Sequence, residues 1–121
     1  MIVDDDERLA RVVARLLGSC GYDTVPFSHP HDAIAALRSE PTGFDAVITD
    51  LSMPELSLEE LIAGLRAIRP DLVVIVSTGK PWAIDDAARA RLGISEVLSK
   101  PWRLEDALHA LERLRLPHTL P

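Results

Sequence analysis

The sequence predicts an α/β fold in which five short parallel strands alternate with five amphipathic helices. Short apolar runs rich in Val, Ile and Leu recur along the chain. Between them, apolar residues fall at helical spacing, and Gly or Pro stands at most junctions. Continuous apolar strands of this kind belong to a parallel sheet covered by helices on both faces.

Taken in order, Met1 to Val3 is apolar and stops at Asp4, Asp5 and Asp6. From Glu7 to Cys20, Leu9, Val12, Val13, Leu16 and Leu17 form a helical stripe, and Gly18 and Gly21 mark its end. Tyr22 to Phe27 reads as the second strand. A helix over Pro30 to Ser39 follows, with Ile34 and Leu37 inward, and Pro41 and Gly43 break the chain. Ala46 to Thr49 is a strand ending at Asp50. Leu58, Leu61, Ile62, Leu65 and Ile68 form the next stripe, which Pro70 ends. Leu72 to Val76 is the most apolar strand, and Thr78, Gly79 and Pro81 make a loop. An Ala-rich helix covers Ile84 to Leu92, Gly93 ends it, and Ser95 to Ser99 is the fifth strand. Leu104, Ala107, Leu108, Leu111 and Leu114 line the last helix. Right-handed crossovers leave few topologies for such a series. The favoured one is the doubly wound, flavodoxin-like (βα)5 sheet of order 2-1-3-4-5. One domain over residues 1–116 and a short tail over 117–121 are expected.

Composition narrows the function. The 121 residues carry a net charge of −6, a poor match to nucleic-acid backbone. No apolar run approaches membrane-spanning length and no signal peptide opens the chain, so a cytoplasmic location is expected. Cys20 is alone, so no disulfide framework or Cys-rich zinc site is expected.

The polar residues collect at strand ends. Strand one ends in Asp4-Asp5, strand three in Asp50, strand four in Ser77-Thr78 and strand five in Lys100-Pro101. In a parallel sheet those ends open on one edge, where ligands bind at the switch in strand order. Three carboxylates gathered there repel one another, and a hard divalent cation such as Mg²⁺ relieves that repulsion through oxygen ligands. With the cation present an anionic phosphodonor can approach one carboxylate. Lys100 adds a compact positive charge and Thr78 a hydroxyl donor. The product is a mixed anhydride on an aspartate.

The runs Val3-Asp4-Asp5-Asp6-Glu7 and Asp50-Leu51-Ser52-Met53-Pro54, the pair Thr78-Gly79 and the pair Lys100-Pro101 together resemble the receiver (response regulator) pattern of two-component signalling. The resemblance runs from Ile2 to about Leu114. It implies that Asp50 is the phosphoacceptor, that Asp5 binds Mg²⁺ directly, and that Asp4 does so partly through water. Asp50 and the backbone carbonyl of Ser52 complete the implied metal ligands. Thr78 is the implied switch hydroxyl. Lys100 is the family's lysine, with a cis peptide to Pro101. The implied phosphodonor is a histidine kinase or histidine phosphotransfer domain. A phosphorylation-driven population shift would be felt across the last two helices and the strand between them, which are also the expected surface for a homodimer. Such a domain is a switch and not an enzyme, beyond its own Mg²⁺-dependent phosphorylation and dephosphorylation.

The chain departs from the pattern in places. Leu58 stands where the family usually has glycine, and Glu59 where an apolar residue is common; Leu58 also fits the apolar stripe, so the third helix can start early. Val97 occupies the position of the aromatic switch residue, and Trp82 is a candidate substitute. The first strand is short at its amino end, which suggests either a trimmed chain or a domain cut from a longer protein. Phe27-Ser28-His29-Pro30 and Thr78-Gly79 look similar to receivers attached to hybrid sensor histidine kinases.

Plainer roles compete for several residues. Asp6 reads as a helix cap and Lys80 as a solvated loop charge, although Lys80 and Ser52 resemble positions that tune dephosphorylation. His29, His31, His109 and His118 lack metal-ligand spacing, Cys20 reads as a small buried apolar residue, and Trp102 as packing. Two other functions also compete. A haloacid-dehalogenase-type phosphatase would use Asp4 and Asp6 as an Asp-x-Asp pair, but Arg8 breaks that motif and no cap domain is present. A pseudo-receiver would fold alike and act only as an interaction module, without phosphorylation.

Overall fold

The chain runs through β1 (Ile2–Val3), α1 (Glu7–Ser19), β2 (Pro26–Phe27), α2 (Pro30–Ser39), β3 (Ala46–Asp50), α3 (Leu58–Ile68), β4 (Val73–Thr78), α4 (Asp86–Leu92), β5 (Glu96–Ser99) and α5 (Leu104–Arg113). A turn of 3₁₀ helix, Pro81–Ala83, precedes α4. The computed structural model describes residues 1–114 and 116, so the expected tail over 117–121 lies outside the described residues. All five strands are parallel, in the order β2-β1-β3-β4-β5. This is the doubly wound, flavodoxin-like sheet that the sequence predicts.

Alternation along β3 and β4 divides the core. Val47, Val74 and Val76 face α2 and α3, where they meet Leu37, Leu61 and Leu65. Ile48 and Ile75 face α1 and α5, where they meet Val13, Leu17, Ala107 and Leu111. The helix starts follow from local chemistry. Asp6 caps α1 by accepting the Leu9 amide at 3.1 Å, as expected. Ser57 and Glu60 form a capping box at the head of α3. That box starts α3 at Leu58, whose side chain is buried in the core. Leu58, which stands where the resembled pattern usually has glycine, is therefore the first core residue of the helix.

Three expectations are corrected. Tyr22 to Phe27 was expected as a strand, yet only Pro26–Phe27 pairs with β1. This edge strand has a single neighbour, itself of two residues. Thr24 instead donates to the Ala14 carbonyl of α1 at 2.6 Å, which ties the segment to the helix. Second, the stripe of α1 is wider than its core face. Val13 and Leu17 are buried, while Leu9, Val12 and Leu16 are 38%, 52% and 43% exposed. Third, the Ala-rich helix begins at Asp86, because Asp85 caps it by accepting the Ala88 amide at 2.7 Å.

Arg66 locks α3 to the end of α4. Its guanidinium donates to the carbonyls of Leu92 at 2.6 Å, Gly93 at 2.7 Å and Leu72 at 3.1 Å. Gly93 ends α4 in the left-handed region, at φ 66°.

Candidate functional site

Asp4 follows β1, Asp50 ends β3, Thr78 ends β4 and Lys100 follows β5, so the sheet order brings them to one edge. Carboxylate oxygens of Asp4, Asp5 and Asp50 lie within 4.8 Å of one another. Asp4 is buried, Asp5 exposed and Asp50 between the two. Lys100 Nζ lies 3.5 Å from Asp4 Oδ2 and 3.4 Å from Asp50 Oδ1. The ammonium therefore spans the two inner carboxylates. The Lys100–Pro101 peptide is cis, as the resemblance implied.

Each carboxylate also has a backbone anchor. Asp4 Oδ1 accepts the Asp6 amide at 2.9 Å, and Asp50 Oδ1 accepts the Leu51 amide at 2.9 Å. Burial pushes the Asp4 carboxyl above its ordinary value, and the Asp50 charge adds in the same direction. The Asp6 amide and the Lys100 ammonium pull it back. The donor set is entirely carboxylate oxygen, which suits a hard cation such as Mg²⁺.

The remaining site candidates sit around this cluster. Thr78 is buried, and its Oγ1 accepts the Lys80 amide at 2.9 Å, which leaves its own hydrogen to donate. Ser52 is exposed, two residues beyond Asp50. Lys80 is exposed in its loop. Trp82, expected as a substitute aromatic, is 76% exposed.

Two pairs near this edge escaped the sequence reading. Trp102, expected only to pack, donates its Nε1–H to Ser77 Oγ at 2.7 Å. A buried serine near the end of an apolar strand signals the need for a partner, but nothing in the sequence says which one. His29, to which no role was given, sits with Nδ1 2.5 Å from Glu55 Oε1 and clasps the loop after β2 to the loop after β3. The hydrogen bond and the charge of Glu55 raise the His29 pKa above its ordinary value. The stabilising contribution of this pair is fully present below about pH 6.5, the value for the unfolded chain, and is lost as pH rises through the raised folded value. A proton NMR titration is expected to show His29 titrating above an unperturbed histidine, and Glu55→Gln to bring it back. No change in Glu55→Gln would mean the clasp does not form in solution.

Known proteins match this arrangement. A family model described as response regulator receiver domain covers residues 1–112. A response regulator receiver protein of Anaeromyxobacter sp. (strain Fw109-5) is 36% identical over 100 residues, which is 81% of this chain and 40% of that protein. A CheY-like receiver domain from Methanospirillum hungatei JF-1 superposes with a TM-score of 0.83 at 22% identity, over 93% of this chain and 89% of that one, and shows the shared fold. A response regulator protein from Burkholderia pseudomallei, solved with a phosphorylated aspartic acid, a calcium ion and citrate, has a TM-score of 0.77 at 27% identity, over 98% of this chain and 75% of that one. The chain spans only 11% of the length of a two-component response regulator of rice to which it is 36% identical over 76 residues. With the family model reaching from its first residue to residue 112, the chain belongs to the response regulator receiver domain family.

Proposed function

We propose that this domain accepts a phosphoryl group on the Asp50 carboxylate from a histidine kinase or histidine phosphotransfer domain, and that the modification switches its contacts with a partner. One arrangement carries the reading: the carboxylates of Asp4, Asp5 and Asp50 within 4.8 Å of one another, with Lys100 Nζ 3.4 Å from Asp50. Mg²⁺ held by Asp4, Asp5, Asp50 and the Ser52 carbonyl would offset the carboxylate charge and the charge on the transferring group. An Asp50 oxygen forms its bond to phosphorus while the phosphorus–nitrogen bond of a phosphohistidine breaks. The imidazole leaves with a proton, and a mixed anhydride remains on Asp50. Lys100 stays beside the acceptor as a point charge, and the Thr78 hydroxyl donates to a phosphoryl oxygen.

The phosphorylated aspartic acid of the Burkholderia protein supports this chemistry. The apolar stripe that Leu9, Val12 and Leu16 expose on α1 supports a protein as donor. It shares one groove with Asp50 and Lys100. A second copy pairing through α4, β5 and α5 would be one contact under control. That face carries the ion pairs of Glu96 with Arg89 and Arg113.

With Mg²⁺ and acetyl phosphate, intact mass is expected to rise by one phosphoryl group. Omitting Mg²⁺, or replacing Asp50 in Asp50→Asn, removes the adduct. Should neither acetyl phosphate nor beryllofluoride with Mg²⁺ engage the protein, the domain is an unphosphorylated interaction module of the same fold.

A further inference from the structure

Ser77 is the register partner of Asp50 across β3 and β4. Register partners in a parallel pair stand on the same face. The Ser77 hydroxyl therefore shares with Asp50 the face covered by α1 and α5. It is 5% exposed. An indole N–H can only donate, so Ser77 Oγ is the acceptor of its 2.7 Å bond from Trp102. The hydrogen of the Ser77 hydroxyl is then uncommitted, and among the described residues no hydrogen bond employs it. Trp102 lies between Lys100-Pro101 and the head of α5, and packs on the apolar cluster under α1 and α5. Asp50, Ser77, Lys100 and Trp102 line a single groove with the α1 stripe.

We propose that Ser77 is a positioning residue that relays the state of the Asp50 side chain to Trp102, and through Trp102 to the groove between α1 and α5. The proposal rests on the phosphoacceptor reading of Asp50. A phosphoryl group there brings anionic oxygens onto the face where Ser77 has a hydrogen to give. A hydroxyl that donates to an anion becomes a better acceptor, so the bond from Trp102 Nε1–H tightens. The aromatic wall of the groove then responds to phosphorylation.

The chain has only two tryptophans, so its indole N–H resonances are easily assigned. The test follows both in ¹⁵N-labelled protein with Mg²⁺ and beryllofluoride, while ¹⁹F NMR reports bound beryllofluoride independently. The Trp102 resonance is expected to move downfield, and that of Trp82 to stay in place. In Ser77→Ala the ¹⁹F signal of bound beryllofluoride persists but the Trp102 movement is lost, and Ser77→Thr restores it. A Trp102 movement that survives Ser77→Ala would overturn the relay, as would a stationary Trp102 in the wild type with beryllofluoride bound. Absence of any bound ¹⁹F signal would remove the phosphoacceptor reading, and the relay with it.

Discussion

Replacing Lys100 by methionine is expected to slow labelling of Asp50 by acetyl phosphate about 10²–10³-fold, the usual effect of removing one preorganised group that stabilises transition-state charge. The same substitution is expected to tighten Mg²⁺ binding. The two effects have one origin. The ammonium lies 3.5 Å from Asp4 and 3.4 Å from Asp50, so it occupies part of the negative potential that a metal ion would otherwise use. Without it, Asp4, Asp5 and Asp50 face one another uncompensated and attract a cation more strongly. The transferring phosphoryl group, in contrast, loses its compact positive neighbour. Methionine keeps the length and apolar stem of lysine, so packing beside Pro101 is little disturbed. Intact-mass time courses at saturating Mg²⁺ measure the first effect, and a Mg²⁺ titration followed by the Trp102 indole N–H resonance measures the second. Labelling at the wild-type rate would remove Lys100 from the reaction. Lys100→Arg sharpens the comparison, because a planar fork does not reproduce a point charge. Eleven arginines against two lysines make it informative that a lysine stands here.

The sheet and the acidic cluster were legible in the sequence because both follow from short-range patterns. Apolar runs such as Val73 to Val76 and Ala46 to Ile48 announce buried parallel strands. Each of β1, β3, β4 and β5 has a polar residue at its carboxyl end or just beyond it. Topology then brings Asp4 within reach of Lys100, ninety-six positions away. What the sequence concealed depends on rotamers and on edges. The bond from Trp102 to Ser77 and the clasp of His29 on Glu55 join residues 25 and 26 positions apart through side-chain tips. Neither has a periodic signature. The second strand was overextended because Tyr22, Thr24 and Val25 are good strand formers, yet beside a two-residue neighbour the ladder stops at Pro26–Phe27, and the Tyr22 amide and Thr24 hydroxyl bond to the carbonyls of Leu17 and Ala14 in α1 instead. Nor does any periodic pattern mark Arg66, whose guanidinium collects three carbonyls at the junction of α3, α4 and β4.

Hydrophobic periodicity also fails to rank its own members, and stability measurements will separate them. Leu61→Ala is expected to cost about 3 kcal/mol, within the usual 2–5 kcal/mol for a buried leucine. That loss lowers Tm by roughly 10 °C in a domain of this size. Leu61 has 0% exposure and sits on α3 within the cluster that includes Val47, Val74, Leu37 and Leu65. Removing its isobutyl group leaves a cavity between helix and sheet, because strands paired on both sides cannot collapse into the gap. Val12→Ala is the control. It removes apolar atoms from an equally periodic position on α1, but Val12 is 52% exposed, so the change should stay within about 0.5 kcal/mol. Urea unfolding of both variants, followed by far-UV circular dichroism, makes the comparison. If the two midpoints shifted alike, α3 would not be seated on the sheet as described. If Val12→Ala left stability untouched while Leu61→Ala lost it, Val12 would be free of any duty in the core and available to a partner beside Asp50.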